Sequence, residues 1–281
     1  MRTKKRVLLY GFIFLFTLVG CAKKMPAPPQ NYASSNAKFV ESLPIIPDVA
    51  LPARTDNPVW ETSSVNVSDI QTQKKLISFT FDDAPSTSLE RIIALFASFN
   101  ETHADAPATA TVFCNGRLIN ERTMPLLHGA VSLGFELGNH TYSHHDITKL
   151  SPDILRGEIG NTDALLADVD GKSLHLFRPP YGNIDEKSKA HIHAPVISWT
   201  IDTLDWQKRD TETIYSTVWN NRFSGAIVLM HDGYPNTVEA LKRLLPDLYD
   251  DGYQVVAVSK MAKAHGCALE VGKVYIRARK R

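Results

Sequence analysis

An α/β fold built on a parallel sheet or barrel is predicted by three features of the sequence. Short apolar runs rich in β-branched and aromatic residues recur between Leu76 and Val258. Segments with helical spacing of apolar residues separate them. Five of the runs end on charged, polar or aromatic residues, where α/β proteins put chemistry because the carboxyl ends of parallel strands open onto the ligand crevice. The 281 residues suffice for one large domain or two small ones. A hydrophobic content of 43% with 22% charged residues marks the bulk as globular and not disordered.

The chain opens on a basic stretch, Met1–Arg6, then an almost wholly apolar run, Val7–Val19, closed by Gly20-Cys21. The run is too short to span a bilayer comfortably and matches a signal-peptide core. Its ending, Leu18-Val19-Gly20-Cys21, resembles a bacterial lipobox. That resemblance implies a signal peptide over residues 1–20 and acyl chains on Cys21. These would anchor the protein to a bacterial membrane, in the cell envelope outside the cytoplasm. Several chains on one residue hold stably where a single one is marginal. The alternatives are an uncleaved anchor and a simple secretory signal.

Arg2, Lys4, Lys5 and Arg6 hide a charge asymmetry: without them 27 basic residues face 30 acidic ones, about −3. With no basic stripe interleaved with aromatics, that balance does not suggest a nucleic-acid binder. Two further cysteines, Cys114 and Cys267, could pair in an exported protein. Cys114 also reads as a small buried hydrophobe.

Residues 21–75 show no sustained periodicity. Pro26, Pro28, Pro29, Pro44, Pro47, Pro52 and Pro58 punctuate them, with Ser, Asn and Ala between. This composition reads as an extended tether, in which Phe39–Ile46 and Val59-Trp60 are apolar enough to pack onto a domain.

The folded domain is expected over 76–264. Its strands are Leu76–Phe81, Thr109–Cys114, Glu136–Asn139, Leu174–Arg178, Val196–Ile201, Ala226–Met230 and Gln254–Val258. Helices are expected over Ser88–Asn100, Asn120–Leu133, Pro152–Ala167, Asp185–Lys189, Thr211–Arg222 and Thr237–Tyr249. The first strand alternates Ile77, Phe79 and Phe81 with Ser78, Thr80 and Asp82, a period of two. Residues 265–281, ending in basic Arg277–Arg281, read as a solvated tail.

The strand ends carry the chemistry. They are Asp82-Asp83, then Asn139-His140 leading to His144-His145-Asp146, Arg178-Pro179-Pro180-Tyr181-Gly182, Asp202-Thr203-Leu204-Asp205-Trp206, and His231-Asp232. In a parallel sheet or barrel these five converge on one site. His140 and His144 are four apart, a spacing that puts both rings on one face of a helical turn. One carboxylate of the Asp82-Asp83 pair would complete a three-ligand set with an open position, the composition of a catalytic Zn²⁺-type site. The other carboxylate can serve as general base, His231 as general acid, Arg178 as the cation that holds the base ionised, and Asp205 as the partner of His231. Two histidines and one carboxylate suit Zn²⁺, and Co²⁺ or Ni²⁺ also fit. Seen singly, each has a plainer reading: a capping acid, a loop histidine, a structural ion pair, a turn cap.

Taken in order, the segments T-F-D-D-A-P, H-T-Y-S-H, R-P-P-Y-G, D-T-L-D-W and L-M-H resemble the five motifs of the polysaccharide deacetylase family (NodB homology domain, carbohydrate esterase family 4). The resemblance covers about Leu76 to Ala264. It implies a distorted (β/α) barrel of about seven parallel strands and metal-dependent hydrolysis of acetyl groups on a glycan polymer. It further implies Asp82 as base, Asp83, His140 and His144 as metal ligands, and Arg178 as the partner of Asp82. The Tyr181 backbone N–H would help stabilise the oxyanion. Trp206 would wall the groove and Leu229 the acetyl pocket, or both would simply pack in the core. Asp205 would tune His231, the acid.

Peptidoglycan N-acetylglucosamine is the preferred substrate because a lipid anchor would hold the enzyme beside the wall. Chitin oligosaccharides, acetylated xylan and a non-catalytic glycan-binding role are the alternatives. No protein partner is inferable. His103, His128, His175, His191, His193 and His265 match no motif and read as surface or loop residues. The family usually has Gly where this chain has Ala84, which would strain the turn only if that position needs φ > 0.

Overall fold

The computed structural model describes Trp60 and residues 65–279. The expected signal peptide, Cys21 and most of the expected tether lie outside the described residues. In chain order the elements are β1 (Lys75–Ala84), α1 (Ser88–Thr102), β2 (Thr111–Cys114), α2 (Met124–Ser132), β3 (Glu136–Asn139), α3 (Pro152–Asp170), β4 (Leu176–Phe177), α4 (Glu186–Lys189), β5 (Val196–Ile197), β6 (Ile201–Asp202), α5 (Asp205–Lys208), α6 (Thr211–Asn221), β7 (Ile227–His231), α7 (Pro235–Asp250), β8 (Tyr253–Val255), α8 (Val258–Ala264) and β9 (Val274–Tyr275).

All strand pairs are parallel, in the order β6-β7-β1-β2-β3-β4-β5-β9, with β8 on β1. β1 pairs with β8 over Lys75–Ile77 and with β7 over Ser78–Asp82. The strand expected over Val196–Ile201 is broken in two. Its first half, β5, bonds β4 and β9, and its second half, β6, bonds β7. At the bend Ser198 N–H donates to Tyr275 O (2.8 Å) and Thr200 N–H to Ile227 O (3.0 Å). One bent run thus joins both ends of the sheet and curls it into the distorted barrel expected.

Alternation sorts the side chains. Ile77, Phe79 and Phe81 of β1, Val112 and Cys114 of β2 and Val228 and Met230 of β7 form one buried cluster with Leu89, Ile92 and Phe96 of α1 and Leu241, Leu244, Leu245 and Leu248 of α7. The intervening residues face the other way. Phe113, Leu176, Ile197 and Ile227 meet in a second cluster with Val258, Met261 and Tyr275, beside buried Ser78 and Thr80. Helix starts follow local capping: Ser151 accepts from Ile154 N–H, Asp210 from Thr213 N–H, and Asp185 builds a capping box with Ser188.

The segment after residue 264 is not a tail as far as it is described. It contributes β9, buries Leu269 and Ala278, and Arg277 bridges Ala226. A two-residue strand among basic residues carries no periodicity to read. Trp60 also packs as expected: its N–H donates to Leu269 O (2.7 Å), and its ring lies on the second cluster. The short helix α5 was not expected, and α8 takes over at Val258, where the last strand was expected to end. No disulfide joins Cys114 and Cys267. No helix among the described residues is long and apolar enough to cross a membrane.

Gly138 on β3 lies where a Cβ would stand 2.5 Å from the Phe113 ring and 3.2 Å from Leu176 O. Gly138→Ala is expected to cost about 1–3 kcal/mol by overpacking, read as a lower midpoint in urea unfolding.

Candidate active site

β1 does not end as a regular strand. Thr80 and Phe81 face Thr111 and Val112, but Ala84 faces Cys114, so β1 carries one extra residue there. Such a bulge re-aims side chains at a strand end. Asp83 takes the left-handed backbone, φ 61. Simple alternation would send Asp82 and Asp83 to opposite faces; the bulge brings both to one site. Ala84 is buried and outside the positive-φ set, so it puts no strain on the turn.

Asp83, His140 and His144 each present a ligand atom within 4.8 Å of the others. His140 Nδ1 donates to Arg178 O (2.7 Å), which leaves Nε2 for the site, 3.6 Å from Asp82 Oδ2 and 3.9 Å from Asp83 Oδ1. His144 Nε2 stands 3.4 Å from Asp83 Oδ1, which also accepts from Asn115 Nδ2 (3.0 Å). The two histidines do not ride on a helix. They sit on the loop after β3, where Thr141 and His144 take φ 66 and 60. Burial, and then the charge of His140, lowers the His144 pKa to about 4 against the pull of Asp83 and Asp82, so the ring is neutral near pH 7. Burial would raise the Asp83 carboxyl, but the charges of His144, His140 and His231 and the Asn115 bond outweigh it and hold it low. Two imidazoles and one carboxylate with freed ligand atoms are a donor set that fits a divalent cation of the Zn²⁺ type.

Asp82 lies behind this trio, 4% exposed. Its Oδ1 accepts from Arg178 Nη1 at 2.7 Å. Arg178 is completely buried, and its other bonds go to Thr80 Oγ1 (2.7 Å), Ile197 O (3.0 Å) and Ser198 O (3.1 Å). Its guanidinium lies 4.1 Å above the Phe113 ring. A side chain held by four acceptors and an aromatic face cannot swing away from Asp82.

His231 pairs with Asp82 across β7 and β1. Its Nδ1 bonds buried Asp205 Oδ1 (2.7 Å), and its backbone N–H donates to Asp205 Oδ2 (2.8 Å). Thr237 Oγ1 (2.7 Å) and Trp206 N–H (2.9 Å) also donate to Asp205. Burial lowers the His231 pKa, but the hydrogen bond and charge of Asp205, with Asp82 and Asp83 behind it, raise it to about 9.

Around these groups stand Tyr181 (φ 61, 41% exposed), whose ring is 4.7 Å from that of His144, and half-buried Trp206. Leu229 is buried on β7. Tyr234 lies 5.9 Å from the His231 ring under the Arg209 guanidinium. All the motif residues singled out in the sequence therefore fall at this end of the barrel. Asn115, Thr237 and Glu158 support them and were not singled out; Thr80 opens the T-F-D-D-A-P segment and Asp232 follows His231, but neither was given a role. Asn115, Thr237 and Glu158 act across elements that no spacing reveals. His175 is a correction. It is buried, not superficial, with Nδ1 on Asp163 (2.9 Å) and Nε2 on Asp170 (3.1 Å).

The chain is similar to known proteins over this domain. The polysaccharide deacetylase family model matches residues 69–194. The chain is 30% identical over 225 residues to the peptidoglycan-N-acetylglucosamine deacetylase PgdA of Listeria monocytogenes, covering 79% of this chain and 46% of that one. It is 31% identical over 212 residues to a peptidoglycan-N-acetylglucosamine deacetylase of Bacillus cereus, covering 69% and 92%. It thus spans less than half the length of several relatives it matches. Among solved structures, a family 4 acetyl xylan esterase from Clostridium thermocellum, in complex with a cobalt ion, superposes with TM-score 0.67 at 27% identity, covering 72% of this chain and 98% of that one.

The raised His231 pKa has a sign. Protonated His231 stabilises the fold fully below about pH 6.5, its unfolded value, and that contribution is lost as pH rises through about 9. Imidazole NMR of the metal-free protein is expected to titrate His231 near pH 9, and Asp205→Asn to bring the midpoint down. An unchanged midpoint would break the Asp205 account.

Proposed function

Because this chain belongs to the polysaccharide deacetylase family, we propose that it hydrolyses N-acetyl groups from a cell-envelope glycan, with peptidoglycan N-acetylglucosamine as substrate. The observation that carries the proposal is the placement of the Asp83-His140-His144 trio between a buried carboxylate and a histidine of raised pKa. Two differently tuned groups flanking one electrophile site are what hydrolysis of an amide needs.

Asp83 Oδ1, His140 Nε2 and His144 Nε2 would hold the cation. When bound, it would supply Lewis-acid polarisation of the acetyl carbonyl and activation of a water. Asp82 takes the water's proton as the oxygen bonds to the acetyl carbon. Arg178 pairs with Asp82 and fixes it in direction. His231 then gives its proton to the nitrogen as the C–N bond breaks, releasing acetate and leaving an amine on the sugar. With Nδ1 engaged by Asp205, Nε2 is the atom that delivers this proton. The Tyr181 backbone N–H assists at the oxyanion. Trp206 walls the groove and Leu229 the methyl pocket.

Zn²⁺ is the proposed cation, with Co²⁺ or Ni²⁺ as substitutes. The proposed setting is the envelope, outside the cytoplasm, with lipidated Cys21 and the residues 21–75 tethering the domain near the wall. That location, with the similarity to peptidoglycan deacetylases, supports the choice of glycan.

Acetate release is expected from N-acetylated peptidoglycan, and less from chitin oligosaccharides or acetylated xylan. A chelator should abolish it and Zn²⁺ restore it. Asp82→Asn should lower kcat by about 10²–10⁴ while glycan binding survives. Activity should decline at alkaline pH as His231 loses its proton, with a midpoint below the metal-free value of about 9 because a dication on Asp83 disfavours the imidazolium. No chelator-sensitive release from any of the three glycans would sink the reading.

A further inference from the structure

Both loops that carry the trio turn through left-handed backbone at residues other than glycine. Asp83 has φ 61, Thr141 φ 66 and His144 φ 60. Such backbone is sparsely populated and persists only where its surroundings over-determine it. Within the His140–His144 loop, Thr141 N–H donates to Asn139 Oδ1 (2.9 Å) and His144 N–H to Thr141 Oγ1 (3.1 Å). Those bonds are local. Backbone bonds tie the loops to the barrel, from Gly116 N–H to Thr141 O (3.0 Å), Arg117 N–H to Tyr142 O (3.0 Å) and Asn115 N–H to Ala84 O (2.8 Å), and two buried carboxylates with no part in the proposed chemistry add to them.

Glu158, on α3 and 1% exposed, grips Ser143, the residue before His144. Its Oε2 accepts from Ser143 N–H and its Oε1 from Ser143 Oγ, both at 2.7 Å. Asp232 is completely buried just after β7. Its backbone N–H donates to Asp82 O (3.0 Å), and its carboxylate Oδ2 accepts from Ser86 N–H, three residues past Asp83. Two carboxylates are thus taken out of water to hold the turns that carry two ligands, one at Ser143 beside His144 and one at Ser86 on the far side of the Asp83 turn. Burying a carboxylate is costly unless it is hydrogen-bonded, and bonds to an ionised oxygen are the strong ones.

We propose that Glu158 and Asp232 are positioning residues that set the metal affinity of the site, by holding His144 and Asp83 in left-handed backbone before a cation arrives. Each acts on a different ligand: Glu158 from the helix layer and Asp232 from the adjoining strand. This rests on reading Asp83, His140 and His144 as the metal site, and not on which glycan is cleaved.

The test is calorimetric titration of the metal-free full domain with Zn²⁺. Glu158→Ala and Asp232→Ala are each expected to weaken binding about 10–100-fold, the usual effect of losing an outer-shell partner. The losses should be roughly additive in free energy in the double variant, because the braces hold separate loops. Glu158→Gln and Asp232→Asn keep an acceptor for the Ser143 and Ser86 N–H groups and should bind close to wild type. At saturating Zn²⁺ the alanine variants should recover most of their kcat.

A merely structural role would lower Tm and leave the Zn²⁺ affinity unchanged. Folded alanine variants with wild-type affinity overturn the proposal, and so do Gln and Asn variants as impaired as the alanines. Should an alanine variant fail to fold, Ser143→Ala, which removes one of the two Glu158 bonds, and Asp232→Ser, whose shorter side chain withdraws the acceptor from Ser86 N–H, replace it. Wild-type affinity in those variants overturns the corresponding brace. Wild-type protein that takes up no Zn²⁺ overturns the metal reading itself; tight wild-type binding with unaffected variants overturns only the bracing.

Discussion

The site depends first on Arg178. Its guanidinium is buried among Asp82, Thr80 and two carbonyls of the bent run after β5, and its own carbonyl accepts from His140 Nδ1. One residue therefore orients the proposed base through its side chain and a proposed metal ligand through its backbone. A buried ion pair is weak evidence for stability, because desolvation consumes most of the attraction. Removing one partner is another matter, since it strands the other charge at a cost of about 3–5 kcal/mol. The pair is best understood as a constraint on geometry. It fixes where Asp82 points, and the barrel is built so that β1, β4 and β5 all meet this one side chain.

The remaining parts follow from that anchor. With Asp82 held against Arg178, the neighbouring acid reaches the histidines only because β1 bulges at Asp83. Like-charge repulsion between adjacent carboxylates is then relieved by splitting their surroundings: a guanidinium for Asp82, and Asn115 with two imidazoles for Asp83. The same division appears among the histidines. Burial beside His140 keeps His144 neutral, whereas Asp205 keeps His231 protonated. One ring type is thus tuned two ways by its partners, to suit the proposed ligand and the proposed proton donor. Glu158 and Asp232 complete the arrangement from outside the reacting groups.

Much of this was legible in the chain. Alternation through Ile77, Phe79 and Phe81 located β1, and the motif residues at five strand ends all reach the same end of the barrel. What alternation could not convey was the bulge, because a single extra residue leaves no periodic trace. The spacing of His140 and His144 suggested a helical turn, but left-handed backbone at Thr141 and His144 brings the rings together on a loop instead. The strand expected over Val196–Ile201 was real but bent, and its two halves have different partners. β9 was missed because two residues, Val274 and Tyr275, are too few to show a pattern. His175 looked superficial because its two carboxylate partners lie 12 and 5 residues away in the chain.

By itself the sequence determined the fold class, the order of the longer elements and the candidate groups for the chemistry. These depend on local periodicity and residue type, and both are written along the chain. Only the tertiary structure decided how Asp82 and Asp83 part, which atoms of His140 and His231 are free, and which buried carboxylates hold the loops. Those outcomes depend on hydrogen bonds between residues as far apart as Asp82 and Arg178, or Ser86 and Asp232. Such partners are chosen by how strands and helices pack in three dimensions, and no spacing in one dimension encodes that choice.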